Sequence, residues 1–165
     1  MRSPIVFFLM LVCGAGNVFA ADLQLPVYIG EAESDVRQKL GEPADAPEAF
    51  GGYMLRYPAQ GLVVSFGSES NAVDGITALH ARTGYSQSYS GKIISDIDVD
   101  QTIDQVVQKL GADYTSEDPS GAGQSKIYTW QLGGIFVKVE AWEIDYQEEG
   151  TMYPRGSIRS VELSK

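Results

Sequence analysis

His80 is the only histidine in the chain, and a serine-type nucleophile needs a histidine oriented by a carboxylate and aimed at the hydroxyl. No Gly-x-Ser-x-Gly elbow accompanies it, so His80 reads as a surface or edge residue of a strand. One histidine and one cysteine do not make a multi-histidine zinc site. Asp96, Asp98 and Asp100, followed by Asp104, put carboxylates at alternate positions, as a calcium loop does. The sixth place of such a loop falls on Gln101 where glycine is needed, and the twelfth on Val107 where a bidentate glutamate is needed. The expected arrangement is therefore an extended segment with Ile97 and Val99 inward and the aspartates in water. Gly121 and Gly123 make a flexible turn; no helix pattern or Lys-Ser pair follows to complete a phosphate cradle. The chemistry-bearing residues thus predict no catalytic set, no metal and no cofactor, and the chain reads as a protein that is not an enzyme.

Binding residues are easier to find. Along 135–146, alternation puts Ile135, Val137, Val139 and Ala141 on one face and Phe136, Lys138, Glu140, Trp142, Ile144 and Tyr146 on the other. Large aromatics among charges suit a protein-binding surface, unless the insertion from Asp145 to Gly156 or the other half of the chain covers them. Tyr85 and Tyr89 lie among Ser and Gly in a polar stretch, the composition of a recognition loop or of a solvated linker. Glu143, Asp145, Glu148 and Glu149 make the insertion acidic. Phe136, Trp142, Tyr146, Tyr85, Tyr89 and Glu143 are the candidate partner-binding residues.

The elements that must position them come in two copies. Val36-Arg-Gln-Lys-Leu40-Gly41 returns as Val106-Val-Gln-Lys-Leu110-Gly111, and Gly61-Leu-Val-Val-Ser-Phe66 returns as Gly134-Ile-Phe-Val-Lys-Val139, which is the mark of an internal repeat. In the second copy Thr102 and Gln105 fit a capping box, and Ile103, Val106, Val107 and Leu110 form one apolar stripe ending at Gly111. In the first, Val36 and Leu40 face the same way, Gly41 stops the helix and Pro43 forbids its continuation. A second short helix is weakly indicated from Ala44 to Phe50. Strands are expected at 53–57, 62–66 and 76–81, and again at 127–130, 135–144 and 157–163. The predicted fold is α+β, two tandem units that each pack short helices on a small antiparallel sheet in the order helix, hairpin, strand. The first unit with its linker spans 21–92 and the second 93–165.

Residues 1–20 read as an export signal: Arg2, an apolar run from Ile5 to Val12, and a small-residue cleavage site at Val18-Phe-Ala20. Cys13 follows Val12, not the small residue a lipoprotein signal requires, and it leaves with the signal, so no disulfide is expected. No later stretch approaches the roughly 20 apolar residues of a spanning helix, so no membrane insertion is expected and the protein is placed in the periplasm or outside the cell. A formal net charge of −10 repels phosphate backbones and excludes nucleic acid as a partner.

The pattern carried by Val36, Leu40, Gly41, Pro43, Tyr57 and Gly61, and again by Val106, Leu110, Gly111, Trp130 and Gly134, resembles the family that includes the β-lactamase inhibitor protein and the small outer-membrane assembly lipoprotein of the SmpA/OmlA type. The tandem arrangement looks more like the inhibitor. The lipid-anchoring cysteine of the lipoprotein and the paired disulfides of the inhibitor are missing here. The resemblance implies a protein-binding scaffold without catalysis. The expected function is an exported, non-enzymatic, inhibitor-like protein-binding module, which against a hydrolase would act by occluding its active site. An envelope assembly component and a small-ligand binder between the repeats are the alternatives.

Overall fold

The structure is a computed structural model that describes residues 23–49, 51–68, 70–81, 87–148 and 150–165. The expected export signal, Tyr85 and Glu149 lie outside them. Two eight-residue helices, α1 (Glu33–Leu40) and α2 (Ile103–Leu110), accompany ten strands: β1 (Glu48–Ala49), β2 (Gly52–Tyr57), β3 (Leu62–Phe66), β4 (Val73–Leu79), β5 (Thr115–Glu117), β6 (Ser125–Leu132), β7 (Ile135–Trp142), β8 (Tyr146–Glu148), β9 (Thr151–Tyr153) and β10 (Ile158–Ser164).

The predicted pair of helix-on-sheet units is not what forms. Eight strands join in one antiparallel sheet, in the order β1-β2-β3-β4-β10-β7-β6-β5, with β8 and β9 as a small separate hairpin. The joint is β4 against β10, paired from Gly75↔Ser164 to Leu79↔Ser160. Two half-sheets kept apart would each leave a row of unpaired backbone groups along that strand, and units of about 70 residues are near the size where a single core is marginal. Joining the edges removes both costs and makes the seam between the halves a ladder of hydrogen bonds. The short helix indicated from Ala44 to Phe50, the last of which lies outside the described residues, does not form over 44–49: Ala44 donates to the Arg56 carbonyl, Asp45 bridges Arg56, and Glu48 pairs with Tyr53. This extended segment covers the edge of β2, which the aromatic alternation of Tyr53 and Tyr57 could not reveal.

One core cluster runs beneath the sheet, from Leu25 and Val27 through Leu55, Val64 and Ile76 to Trp130, Val139 and Leu163. Its other wall is Val36 of α1, Ile103 and Val106 of α2, and the segment 93–99. Ile97 and Val99 are buried while Asp96 and Asp100 stay exposed, but the segment is not the extended one expected: Ser95 and Asp96 have positive φ, 49° and 61°, and the Ile97 amide turns back to the Ile94 carbonyl at 2.8 Å. Asp98 is paired with Lys92 and caps the Asp100 amide at 3.0 Å.

Each helix is pinned where it begins. The Gln105 amide reaches Thr102 Oγ1 at 3.4 Å and the Thr102 amide reaches Gln105 Oε1 at 2.9 Å, the reciprocal box expected from the sequence. Thr102 bridges Ser157 just ahead of β10, and Ala32, at the start of α1, bridges Ala72 just ahead of β4. Both helices stop at a glycine with positive φ, Gly41 at 84° and Gly111 at 88°. The 121–123 turn is organised by Asp118, whose carboxylate accepts from the Ser120, Gly121 and Gly123 amides at 2.8–3.0 Å. Those bonds, led by the one from Gly123, hold its acidity below the usual carboxylate range.

Candidate functional site

The helices occupy one face of the sheet, and the strands show polar and charged residues on the other. Across that face run Arg56, Val63, Thr77, Glu162, Lys138 and Thr129, each directly opposite the next. Lys138 pairs with Glu162 at 3.1 Å. At the end of β7 this surface changes character. Trp142 is buried, only 6% exposed, yet it is not part of the main core cluster. The β8–β9 hairpin folds back over it: Tyr146 stacks on Trp142 at 4.1 Å between ring centroids, and Tyr153 continues the ladder 6.3 Å beyond Tyr146. The Arg159 guanidinium lies 4.4 Å from the Trp142 ring centre and is ion-paired with Glu140, which also accepts from Ser125 Oγ at 2.8 Å. An aromatic ladder is thus locked to the sheet by a cation over its innermost ring.

Beside the ladder lies a pocket of about 300 Å³ lined by Ile103, Asp104, Tyr128, Trp142, Glu143, Arg155 and Gly156. Tyr128 donates its phenol to Glu143 Oε1 at 2.7 Å, while Arg155 Nη2 stands 3.4 Å from Glu143 Oε2. Burial first, and the bond to Glu143 second, push the Tyr128 phenol well above the usual tyrosine range, so it remains a proton donor at every physiological pH. Asp145 fixes the backbone here by accepting from the Arg155 amide at 2.8 Å.

Two of the residues proposed from the sequence stack on one another, Trp142 and Tyr146; Glu143, next to Trp142 in the chain, turns instead to the Tyr128 phenol. The others do not join them. Phe136 is 36% exposed at the far end of β7, in a separate hollow with Tyr114, Thr129 and Gln131. Tyr89 is 9% exposed and belongs to the core, its amide bonded to the Leu79 carbonyl at 2.9 Å; it fastens the chain to the sheet rather than standing out from it. Tyr128, Tyr153, Arg155 and Arg159 were not singled out from the sequence. Arg159 sits at the irregularity in the pairing of β10 with β7, between Ile158 and Ser160, which nothing local in the sequence marks. Tyr128 lies in β6 and Arg155 follows β9, and they meet only through the fold, at Glu143. His80 faces Asp100, with Nε2 at 3.3 Å from its carboxylate, at the margin of the sheet.

A second hollow, of about 770 Å³, lies between α1 and β2 and is lined by Glu33, Arg37, Glu48 and Tyr53 among others. Its polar groups already satisfy one another. Tyr53 donates to Glu33 Oε2 at 2.6 Å, Arg37 Nε binds Glu33 Oε1 at 2.7 Å, and Arg37 Nη1 reaches Glu42 at 2.6 Å. The Tyr53 bond, then the Arg37 bond, hold the Glu33 carboxyl below its usual range. Burial and then the same carboxylate push the Tyr53 phenol up to about 12. The lowered carboxyl stabilises the fold above the unfolded carboxylate value of about 4.3 and loses that contribution as the pH falls through its folded value. The raised phenol stabilises it below the unfolded value of about 10 and loses that contribution as the pH rises through the folded one. Tyr53→Phe should therefore cost about 1 kcal/mol between roughly pH 5 and 10, a fall of about 3 °C in Tm, with the gap to wild type narrowing on both sides of that window. Thermal melts at pH 3, 7 and 11 check this; a gap that does not change with pH removes the ion–phenol pair as its cause.

No protein-family model and no curated sequence matches the chain. Among solved structures, an extracellular protein containing a SCP domain from Bacillus anthracis is similar at a TM-score of 0.51 and 13% identity over 83% of this chain. A cysteine-rich secretory protein from Staphylococcus aureus is similar at a TM-score of 0.51 and 13% identity over 84% of this chain. The chain spans 44% of the length of each. Identity this low makes the similarity one of fold. Among the described residues, no helix is long and apolar enough to cross a membrane.

Proposed function

We propose that this chain is an exported, non-enzymatic protein-binding module whose contact surface is the Trp142–Tyr146–Tyr153 ladder together with the adjoining acidic pocket. The observation that carries this reading is the ladder itself. Stacked aromatics that keep part of their surface in water, beside charges held in fixed positions, combine large contact area with little entropy left to lose. The signal-like start of the sequence, and the extracellular description of the two structurally similar proteins, support placement outside the cytoplasm. The polar, helix-free face of the sheet gives such a site a rigid base.

The partner is tested by affinity capture from envelope and culture fractions with residues 21–165 as bait, beside Tyr146→Ala/Tyr153→Ala and Phe136→Ala variants of native circular dichroism. One protein should be retained by wild type and by Phe136→Ala, and recovered at least about tenfold less with the ladder variant, because truncating two aromatic anchors costs a few kcal/mol. Equal recovery by all three baits removes the ladder as the binding surface. A bait that retains nothing removes the module reading itself.

A further inference from the structure

One border of the large sheet is guarded and the other is open, and the repeat makes the two comparable. Thr115 opposite Thr129 takes the place in the second half that Asp45 opposite Arg56 takes in the first. Glu117 opposite Ile127 takes the place of Pro47, whose carbonyl accepts from the Met54 amide at 3.0 Å. The first border thus carries Pro43 and Pro47 along its path, and proline is a residue that natural sheets set on an edge against further pairing. The second border, β5 with its flanks Asp113, Tyr114 and Asp118, meets no proline before Pro119. β5 pairs with β6 alone, every residue from 111 to 124 is exposed, and among the described residues no other backbone hydrogen bond reaches 113–117. Alternate residues of an antiparallel edge strand aim their amide and carbonyl away from the neighbour they pair with. Those groups are a template for one more strand.

The side chains decide which strand that is. By alternation Asp113, Thr115 and Glu117 take the helix-free face, since Thr115 lies opposite Thr129 and Glu117 opposite Ile127. Asp113 and Glu117 have no hydrogen bond or ion pair among the described residues, and the lysine of that face, Lys138, is held by Glu162 at 3.1 Å. Tyr114 and Ser116 take the other face, where the Tyr114 ring, 37% exposed, stands 5.3 Å from that of Tyr128 and 5.2 Å from that of Trp130. A second copy of the chain does not fit this edge. Self-pairing sets the carboxylates of each copy beside those of the other, on chains of formal net charge −10, and like charges on adjacent strands repel. The complement is a strand that alternates basic and apolar residues, its cations beside Asp113 and Glu117 and its apolar side chains beside Tyr114.

We propose that β5 is a docking edge for an extended basic segment of a partner protein, which adds to the eight-stranded sheet as one more antiparallel or parallel strand. Backbone hydrogen bonds to the edge supply the attachment, and the pairing of its cations with Asp113 and Glu117 sets which segments are accepted. The same carboxylates keep copies of this chain from pairing with each other, so the charge that guards the edge against itself selects its occupant. The inference goes beyond the ladder reading: β6 separates this edge from the strand that carries Trp142, and the two surfaces are tested separately.

The test follows the backbone amides of the folded protein by nuclear magnetic resonance at low salt. Three blocked peptides are added in turn: acetyl-Lys-Val-Lys-Val-Lys-amide, acetyl-Gln-Val-Gln-Val-Gln-amide and acetyl-Glu-Val-Glu-Val-Glu-amide. The lysine peptide should bind saturably, about tenfold more tightly than the glutamine peptide, and the glutamate peptide more weakly still. At saturation, hydrogen exchange at alternate amides within 114–117 should slow by about tenfold, which attraction between charges alone does not produce. Asp113→Asn/Glu117→Gln, two changes at exposed positions, should bring the lysine peptide down to the affinity of the glutamine peptide. Tyr146→Ala/Tyr153→Ala should bind it as wild type does. Equal affinity for the three peptides, unchanged exchange at 114–117, indifference to the double substitution, or loss of binding in the ladder variant overturns the proposal. So does slowed exchange at 114–117 that rises with protein concentration in the absence of peptide, which would make a second copy the occupant. In the capture experiment, a partner lost with the ladder variant, together with no response to any peptide, removes the edge and leaves the ladder reading standing. A partner kept by the ladder variant but lost with Asp113→Asn/Glu117→Gln does the reverse.

Discussion

Trp130→Ala is expected to remove about 3–5 kcal/mol of stability, the largest loss of any single truncation considered for this protein. The indole is 1% exposed in the middle of β6 and faces the helices, directly opposite Val137 of β7. It packs 5.2 Å from the ring of Tyr114 and 6.4 Å from that of Tyr128, so its loss opens a void that two aromatic neighbours cannot both close. Its Nε1 donates to the Gly111 carbonyl at 2.9 Å, which is the residue that ends α2. One side chain therefore fills the core under the second half-sheet and ties the end of the helix to it. Trp130→Phe separates the two roles. It keeps most of the packing and loses the bond, so it should cost roughly 1–2 kcal/mol, since the Gly111 carbonyl lies near solvent and water can take the donor's place. Urea unfolding followed by far-ultraviolet circular dichroism measures both. Against a typical total of about 5–15 kcal/mol, the alanine variant should unfold at a visibly lower midpoint. A loss below about 2 kcal/mol would mean that the core beneath β6 closes over the gap.

The parts of this architecture that were legible in the sequence are those whose cause is local. The Thr102–Gln105 box, the glycines at 41 and 111, and the burial of Ile97 and Val99 each depend on residues within a turn or a strand of one another. The joining of β4 to β10 depends on backbone groups more than eighty positions apart, and alternation says which face a residue takes but not which strand lies beside it. Two small units and one large sheet are therefore equally compatible with the same pattern. The candidate site shows the same division. Alternation correctly put Trp142 on the face away from the core cluster. It could not show that the chain, four residues later, turns back and lays Tyr146 across the ring. Tyr89 fails for a related reason: tyrosine among serine and glycine describes both a recognition loop and a strap on a sheet, and only the tertiary contact with Leu79 decides between them. The acidic insertion was read as a run of charge, whereas Glu143 and Asp145 have separate tasks, one accepting from a buried phenol and the other from the Arg155 amide.

Gly61→Ala should be nearly as damaging as the loss of Trp130, and for a reason that distinguishes the two hairpins. Gly61 and Gly134 occupy matching places ahead of β3 and β7, and both have positive φ, 65° and 90°. Around Gly134 an added methyl meets nothing within 4 Å; at Gly61 it would lie 2.3 Å from the Tyr89 amide nitrogen, 2.7 Å from the Ser88 carbonyl carbon and 2.9 Å from the Gln87 oxygen. Those obstacles are backbone, so no side chain can swing aside to relieve them. The Gly61 carbonyl also accepts from the Leu79 amide at 2.8 Å, and the Leu79 carbonyl accepts from Tyr89 at 2.9 Å, so the clash falls on a strap that is bonded in place. Gly134→Ala carries only the left-handed backbone penalty, about 1–2 kcal/mol. Gly61→Ala adds the displacement of residues 87–89 and of the buried Tyr89 ring, for a total of about 3 kcal/mol or more. Urea unfolding of both variants, with hydrogen exchange at the Tyr89 amide, separates the terms: only Gly61→Ala should lose protection there. Equal destabilisation by the two substitutions would show that backbone strain alone fixes these glycines and that the strap yields freely. A larger loss at Gly61 means that the same glycine, repeated along the chain, serves one hairpin as a turn and the other as the seat on which the connection between the two halves is fastened.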